Sequence, residues 1–188
     1  MVAPIGGNTE KHMLTLRSLR WPDDRDALLA LDVSFTTERV YRVVATATAF
    51  AFHDIAMTPP LHKVYDLTAE IDRFPELDHV LIAEVDAQLA GVAALSYEAA
   101  NRRAILWHLY VDAAYRGQGI GRALIDAMIA RAQHYQARCL WLETQDVNYG
   151  AIQFYQRVGF QWCGLDLSLD ERDGSATQET AVFFMHTL

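Results

Sequence analysis

Apolar positions along this chain either alternate with polar ones or recur every three to four residues, and each change of period marks an element. Residues 12–19 alternate and read as a first strand. Residues 22–31 open with Pro22, Asp23 and Asp24 and then turn apolar, as a helix start does. Residues 34–44 and 49–57 are rich in β-branched and aromatic side chains and predict two more strands. Thr58-Pro59-Pro60 is expected to break the chain, and 67–74 to form a short helix. Strands at 79–85 and 88–97 face each other across the turn Asp86-Ala87, a hairpin. The strand at 105–111 has two faces: Ile105, Trp107, Leu109 and Val111 on one, Leu106, His108 and Tyr110 on the other. After a glycine-rich loop, Ile120, Ala123, Leu124, Ala127 and Met128 fall at helical spacing. A strand at 138–144 follows. Asn148 then caps a helix that carries Ala151, Phe154, Tyr155 and Val158 on one face and ends at Gly159. Strands at 160–169 and 180–187, joined by a turn-like stretch at 170–176, close the chain. The order implies an α/β (α+β) fold, with helices on a mixed sheet.

The loop Arg116-Gly117-Gln118-Gly119-Ile120-Gly121 carries the first chemistry. A glycine-rich turn into a helix can aim several backbone N–H groups at one point, and the positive end of the helix dipole then favours an anion. Arg116 and Arg122 add positive charge to an acidic chain. A phosphate ligand is the natural inference. A nucleoside-triphosphate loop would need Lys-Ser or Lys-Thr after the glycines, and Gly121 is followed by Arg122-Ala123. A dinucleotide fingerprint is matched only in its first half, because position 122 is Arg.

The stretch LYVDAAYRGQGIGRALIDAMI resembles the core motif of the GCN5-related N-acetyltransferase family, and LWLETQDVNYGAIQFYQRVGF resembles that family's next strand and helix. The two motifs stand in the family's order across residues 80–160. The resemblance implies a mixed, mostly antiparallel sheet, splayed in the middle between 105–111 and 138–144 and flanked by helices. It implies acetyl-CoA as the acetyl donor. Backbone groups of Leu109, Tyr110 and Val111 would pair with the pantetheine arm. The N–H groups of Gln118, Gly119, Ile120, Gly121 and Arg122, with Arg116 and Gly117, would hold the pyrophosphate. Asn148 and Ala151 would contact the coenzyme, and Tyr155 would protonate the leaving sulfur.

An alkyl amine has a pKa near 10.4, so about one in 2500 is neutral at pH 7 and a base is wanted. Glu143, at the end of a predicted strand, and His108 are the two candidates. Some family members carry a carboxylate on the strand matching 105–111, and this chain has none there. The seven His and two Cys residues lack ligand spacing, so no metal is expected.

Composition changes the picture in two ways. The net charge of −8 argues against nonspecific nucleic-acid binding and suits a cationic substrate. No run of eighteen apolar residues points to a membrane span, and the two cysteines, Cys139 and Cys163, fit a reduced cytoplasmic setting. Residues 1–12 read as a loose leader without signal-peptide features, and 13–188 as a single N-acetyltransferase domain. Asp32, Glu38, Glu98 and Glu179 lie in segments suited to line a site for a cationic acceptor. The segments SFTTERVYRV, PPLHKVYDL, LETQDVN, CGLDL and QETAVFFMHTL are similar to the streptothricin acetyltransferase branch of the family. That resemblance implies transfer to the β-lysine amine of an aminoglycoside-like antibiotic. The rival readings are a protein N-terminal or lysine acetyltransferase, a polyamine acetyltransferase, and a coenzyme-A-binding sensor without catalysis. A monomer or a homodimer is expected.

Overall fold

A computed structural model describes residues 2–5, 12–168 and 179–188. In chain order the elements are β1 (Val2–Ile5), β2 (His12–Ser18), α1 (Arg25–Leu29), β3 (Phe35–Ala45), β4 (Phe50–Lys63), α2 (Thr68–Ile71), β5 (His79–Val85), β6 (Gln88–Glu98), β7 (Arg103–Val111), α3 (Ile120–His134), β8 (Cys139–Gln145), α4 (Tyr149–Arg157), β9 (Gln161–Asp166) and β10 (Ala181–Thr187). Val2–Ile5, inside the segment expected as a loose leader, pairs as a strand with β2. The turn expected at 170–176 lies outside the described residues. The chain divides into two compact units: residues 1–34, 64–140 and 188 form the first, 35–63 and 141–187 the second.

In the first unit β1, β2, β5, β6 and β7 form an antiparallel ladder. Asp86 and Ala87 both take positive φ (50° and 65°), which gives the β5–β6 hairpin the twist that matches its strands. The Asp86 carboxylate accepts the Met13 N–H at 3.0 Å and meets His12 at 2.6 Å, so the turn also anchors β2. Leu28, Ile71, Phe74, Ile82 and Val92 are fully buried and form the core under α1 and α2. Fully burying such side chains stabilises by roughly 1.5–3 kcal/mol each. The α3 stripe that reaches the core is Ile120, Leu124, Ile125, Met128 and Ala132; Ala123 and Ala127, expected in it, are only half-buried. The β6–β7 register slips between Ala94 and Leu95, opposite Leu106 and His108. Trp107 therefore has no residue across from it and is 54% exposed, which interrupts the expected two-face alternation of the strand.

In the second unit β8, β10 and β9 lie side by side, and β3 and β4 form a separate long hairpin. Thr58-Pro59-Pro60 does not end β4, contrary to expectation. Thr37 pairs with Leu61 and Arg39 with Ala56, so residues 57–60 loop out of the ladder between them. The prolines, which cannot donate ladder hydrogen bonds, sit in that bulge and break no pair. Ile152 and Tyr155 are the buried residues of α4, with Ala151, Phe154 and Val158 half-buried beside them. Tyr41, Phe52, Trp162 and Phe184 form a chain of ring contacts at 4.3–5.9 Å.

Candidate active site

The first unit carries the glycine loop. Gly117 and Gly119 have φ of 78° and 87°, a region that L side chains rarely adopt. A Cβ at either would meet nothing within 4 Å. The glycines are thus required by backbone geometry, and open space stands where a ligand can approach. Gly119 caps the fifteen-residue helix α3, whose first intrahelical bond runs from the Ala123 N–H to the Gly119 carbonyl. By helix geometry the N–H groups of Ile120, Gly121 and Arg122 have no intrahelical acceptor. A pyrophosphate fits this cradle: oriented donors, a positive dipole end and room for oxygens.

The Arg116 guanidinium, expected at the pyrophosphate, is hydrogen-bonded within its own unit. Its Nε donates to the Val111 carbonyl at 3.0 Å, and its two terminal nitrogens to the carbonyls of Ser34 at 2.6 Å and Asp32 at 3.2 Å. The guanidinium is a brace between the loop and the chain leaving α1. Gln118 donates to the Ala114 carbonyl at 3.2 Å, and Arg122 lies along the helix surface 3.3 Å from Asp126. Asp112 completes the brace, accepting from the N–H groups of Asp32 and Ala114 at 2.9 Å each. Upstream, β6 covers one edge of Leu109, Tyr110 and Val111. Gly91 makes that approach possible, because a Cβ there would stand 2.7 Å from the Tyr110 carbonyl oxygen.

His108 and Tyr110 meet a carboxylate that no local sequence pattern marks. Glu70, on the short helix α2, accepts from the Tyr110 hydroxyl at 2.9 Å, and the same oxygen lies 3.3 Å from Nδ1 of His108. The His108 ring and then the Tyr110 hydroxyl hold the Glu70 carboxyl below the usual range, against the opposing effect of its partial burial. Phe74 lies against His108 with ring centroids 4.9 Å apart. Only a tertiary contact joins residue 70 to residue 108, so no spacing could have announced it.

The second unit carries the other expected groups. The Asn148 side chain accepts from the Ala151 N–H at 3.1 Å, so it does cap α4. Tyr155 is 8% exposed and its ring contacts Phe154, Phe160 and Phe184 at 5.5–6.1 Å. Glu143 is exposed on β8, between buried Leu142 and Thr144. The four acidic acceptor candidates divide between the two units. Asp32 and Glu98 belong to the first unit, where Asp32 accepts from Ser34 and Glu98 pairs with Arg103 at 3.0 Å. Glu179, in the second, is bonded to Lys63. Glu38 lines a cleft of about 470 Å³ together with Thr37, Arg39, Asn148 and Tyr149. Beside it Asp54 bridges Arg39 at 2.8 Å and the Tyr149 hydroxyl at 3.3 Å, and Tyr149 stacks on Tyr41 at 5.2 Å.

Residues 38–160 match the acetyltransferase (GNAT) family. The chain belongs to that family. It is 37% identical over 177 residues to streptothricin acetyltransferase of Streptomyces lavendulae, covering 90% of this chain and 92% of that one. A shorter match, 32% over 71 residues, joins it to spermine/spermidine N(1)-acetyltransferase of Bacillus subtilis strain 168, covering 36% and 47% of the two chains. Among solved structures, nourseothricin acetyltransferase superimposes with a TM-score of 0.81 at 37% identity, over 93% of this chain and 98% of that one. A Bacillus anthracis str. Ames relative solved with acetyl coenzyme A superimposes at 0.77 and 25% identity, with the same coverage. The fold is accordingly the family's mixed, mostly antiparallel sheet flanked by helices. The protein is an acetyl-CoA-dependent N-acetyltransferase acting on a small-molecule amine. No helix of the described residues is long and apolar enough to cross a membrane.

Proposed function

We propose that this acetyltransferase modifies the β-lysine amine of a streptothricin-type antibiotic and so detoxifies it. The observation that carries the reading is the near full-length match to streptothricin acetyltransferase, against a match to the polyamine enzyme limited to 36% of the chain. A substrate with several ammonium groups also suits a chain of net charge −8. The enzyme works in the cytoplasm as a monomer or homodimer, with no nucleic-acid partner.

Acetyl-CoA supplies an acetyl carbon activated as a thioester. The backbone N–H groups from Gln118 to Arg122 bind its pyrophosphate, and Leu109 to Val111 align its arm. Asn148 and Ala151 contact the same coenzyme. Glu38 holds an ammonium group of the acceptor in the cleft beside Asn148. His108 takes the proton from the reacting amine, in preference to Glu143, because a carboxylate stands beside its Nδ1. Tyr155 Oη supplies the proton that the departing sulfur needs.

Release of free coenzyme A over a panel of a streptothricin mixture, spermidine and an N-terminal peptide tests the acceptor. Turnover with streptothricin at a kcat/KM at least tenfold above the others is expected; turnover with spermidine alone would transfer the enzyme to the polyamine class. Tight acetyl-CoA binding without turnover of any amine would favour a sensor. Tyr155→Phe should lower kcat by about tenfold or more with the thermal melt unchanged. A wild-type rate in that variant removes the tyrosine from the mechanism.

A further inference from the structure

We infer that Glu70 is the positioning residue for His108, holding it as the Nδ1–H tautomer so that Nε2 receives the acceptor's proton; the inference rests on the proposed role of His108 as base. Four observations carry it. Glu70 Oε2 stands 3.3 Å from His108 Nδ1, and it is the acidic group paired with that ring. The Tyr110 hydroxyl, at 2.9 Å, fixes the same oxygen from a position two residues along the strand. Phe74 flanks the imidazole and restricts its rotation. Nδ1 itself is buried and makes no hydrogen bond of good alignment, while 15% of the His108 side chain stays exposed. The open part of the ring is therefore its other atoms, and Nε2 is the nitrogen left to face a substrate.

A carboxylate behind one imidazole nitrogen sets the tautomer of the other and stabilises the imidazolium that forms when a proton arrives. At 3.3 Å the contact is loose, as such bonds commonly are before substrate binds, and it tightens once Nδ1–H turns into line. The step is a proton transfer and nothing more. An N–H bond of the acceptor ammonium breaks, an N–H bond forms at Nε2, and the electron pair remains on the amine nitrogen as its nucleophilic lone pair. Glu70 stays ionised throughout, a state that its contacts with His108 and Tyr110 favour.

Steady-state kinetics and histidine-ring nitrogen NMR test this on the full-length enzyme, with streptothricin or whichever amine the panel selects. Glu70→Gln is expected to lower kcat about tenfold or more while KM for both substrates stays within about twofold. The wild-type His108 ring, assigned by comparison with His108→Gln, should carry its proton on Nδ1, and Glu70→Ala should lose that preference. If His108→Gln slows the reaction and Glu70→Gln does not, the base stands and Glu70 does not position it. If His108→Gln turns over at the wild-type rate, the base reading fails and takes this inference with it. A wild-type ring protonated on Nε2 overturns the inference even should the Glu70 variants fail to fold.

Discussion

A single side chain can fit two roles, ligand group and brace, and Arg116 is the instructive case. Its charge beside a glycine loop reads as phosphate chemistry, yet its three donor positions go to the carbonyls of Val111, Ser34 and Asp32. The two roles predict different responses to lysine, which keeps the charge and loses the planar fork. Arg116→Lys should behave like Arg116→Met: both lose about 1 kcal/mol of stability in chemical denaturation, and both raise KM for acetyl-CoA by a similar factor. Recovery of KM in the lysine variant would return Arg116 to the phosphate. The glycines were legible because a positive φ restricts residue choice locally, whereas two of the three partners of Arg116, Ser34 and Asp32, lie more than eighty residues away. His108 shows the same divide. Its candidacy was visible in the strand, and the Glu70 carboxylate that distinguishes it from Glu143 was not.

Elements were predicted well where one periodicity governed them, and less well where a local breaker met a ladder. The β5–β6 hairpin and the cap of α4 follow from neighbouring residues alone, and both stand where expected. The prolines of β4 predict a stop, because a proline is costly inside a ladder. The strand resumes since residues 57–60 loop out as a bulge, a feature that depends on the register of β3. Likewise Ile152, rather than Ala151, is the buried neighbour of Tyr155, a choice made by the direction from which α4 is covered. Ala87 holds a left-handed conformation at φ 65°, which is strained for a residue with a Cβ. Ala87→Gly should therefore stabilise the protein by about 0.5–1 kcal/mol, read as a rise of about 1–4 °C in melting temperature. A drop would show that the turn is not strained at this position.

At the scale of the whole molecule, two buried carboxylates give stability opposite dependences on pH. Asp24 is gripped by Arg17 at 2.7 Å through both oxygens, and also accepts the Arg20 N–H, while Arg17 reaches Glu84 on β5. The Arg17 guanidinium holds the Asp24 carboxyl below its usual range. A depressed value means the contribution is complete above the unfolded-state pKa of about 3.9 and is lost as pH falls below it. Asp24→Asn should cost about 2–3 kcal/mol near neutral pH, because Arg17 loses one of its two carboxylate partners, and the penalty should shrink below pH 4. Asp146 in the second unit is also buried, but burial raises its carboxyl, against hydrogen bonds from the Thr180 N–H at 3.1 Å, the Thr180 hydroxyl and the Val147 N–H. Here the folded state favours the proton, so ionisation above the raised value weakens the fold. Asp146→Asn keeps an oxygen acceptor without the charge and should raise the melting temperature at pH 7, with the gain fading in acid. Equal responses of the two variants would contradict this assignment. What the sequence by itself determined is most of the elements, the glycine loop and, through two linked motifs, the family, since each of these rests on residues close together in the chain. What only the tertiary structure decided is which distant side chains meet: Arg116 tied to residues 32 and 34, Glu70 brought to His108, and Glu38 set in a cleft with Asn148. Those pairings arise from packing and register between distant segments, and no local pattern carries them.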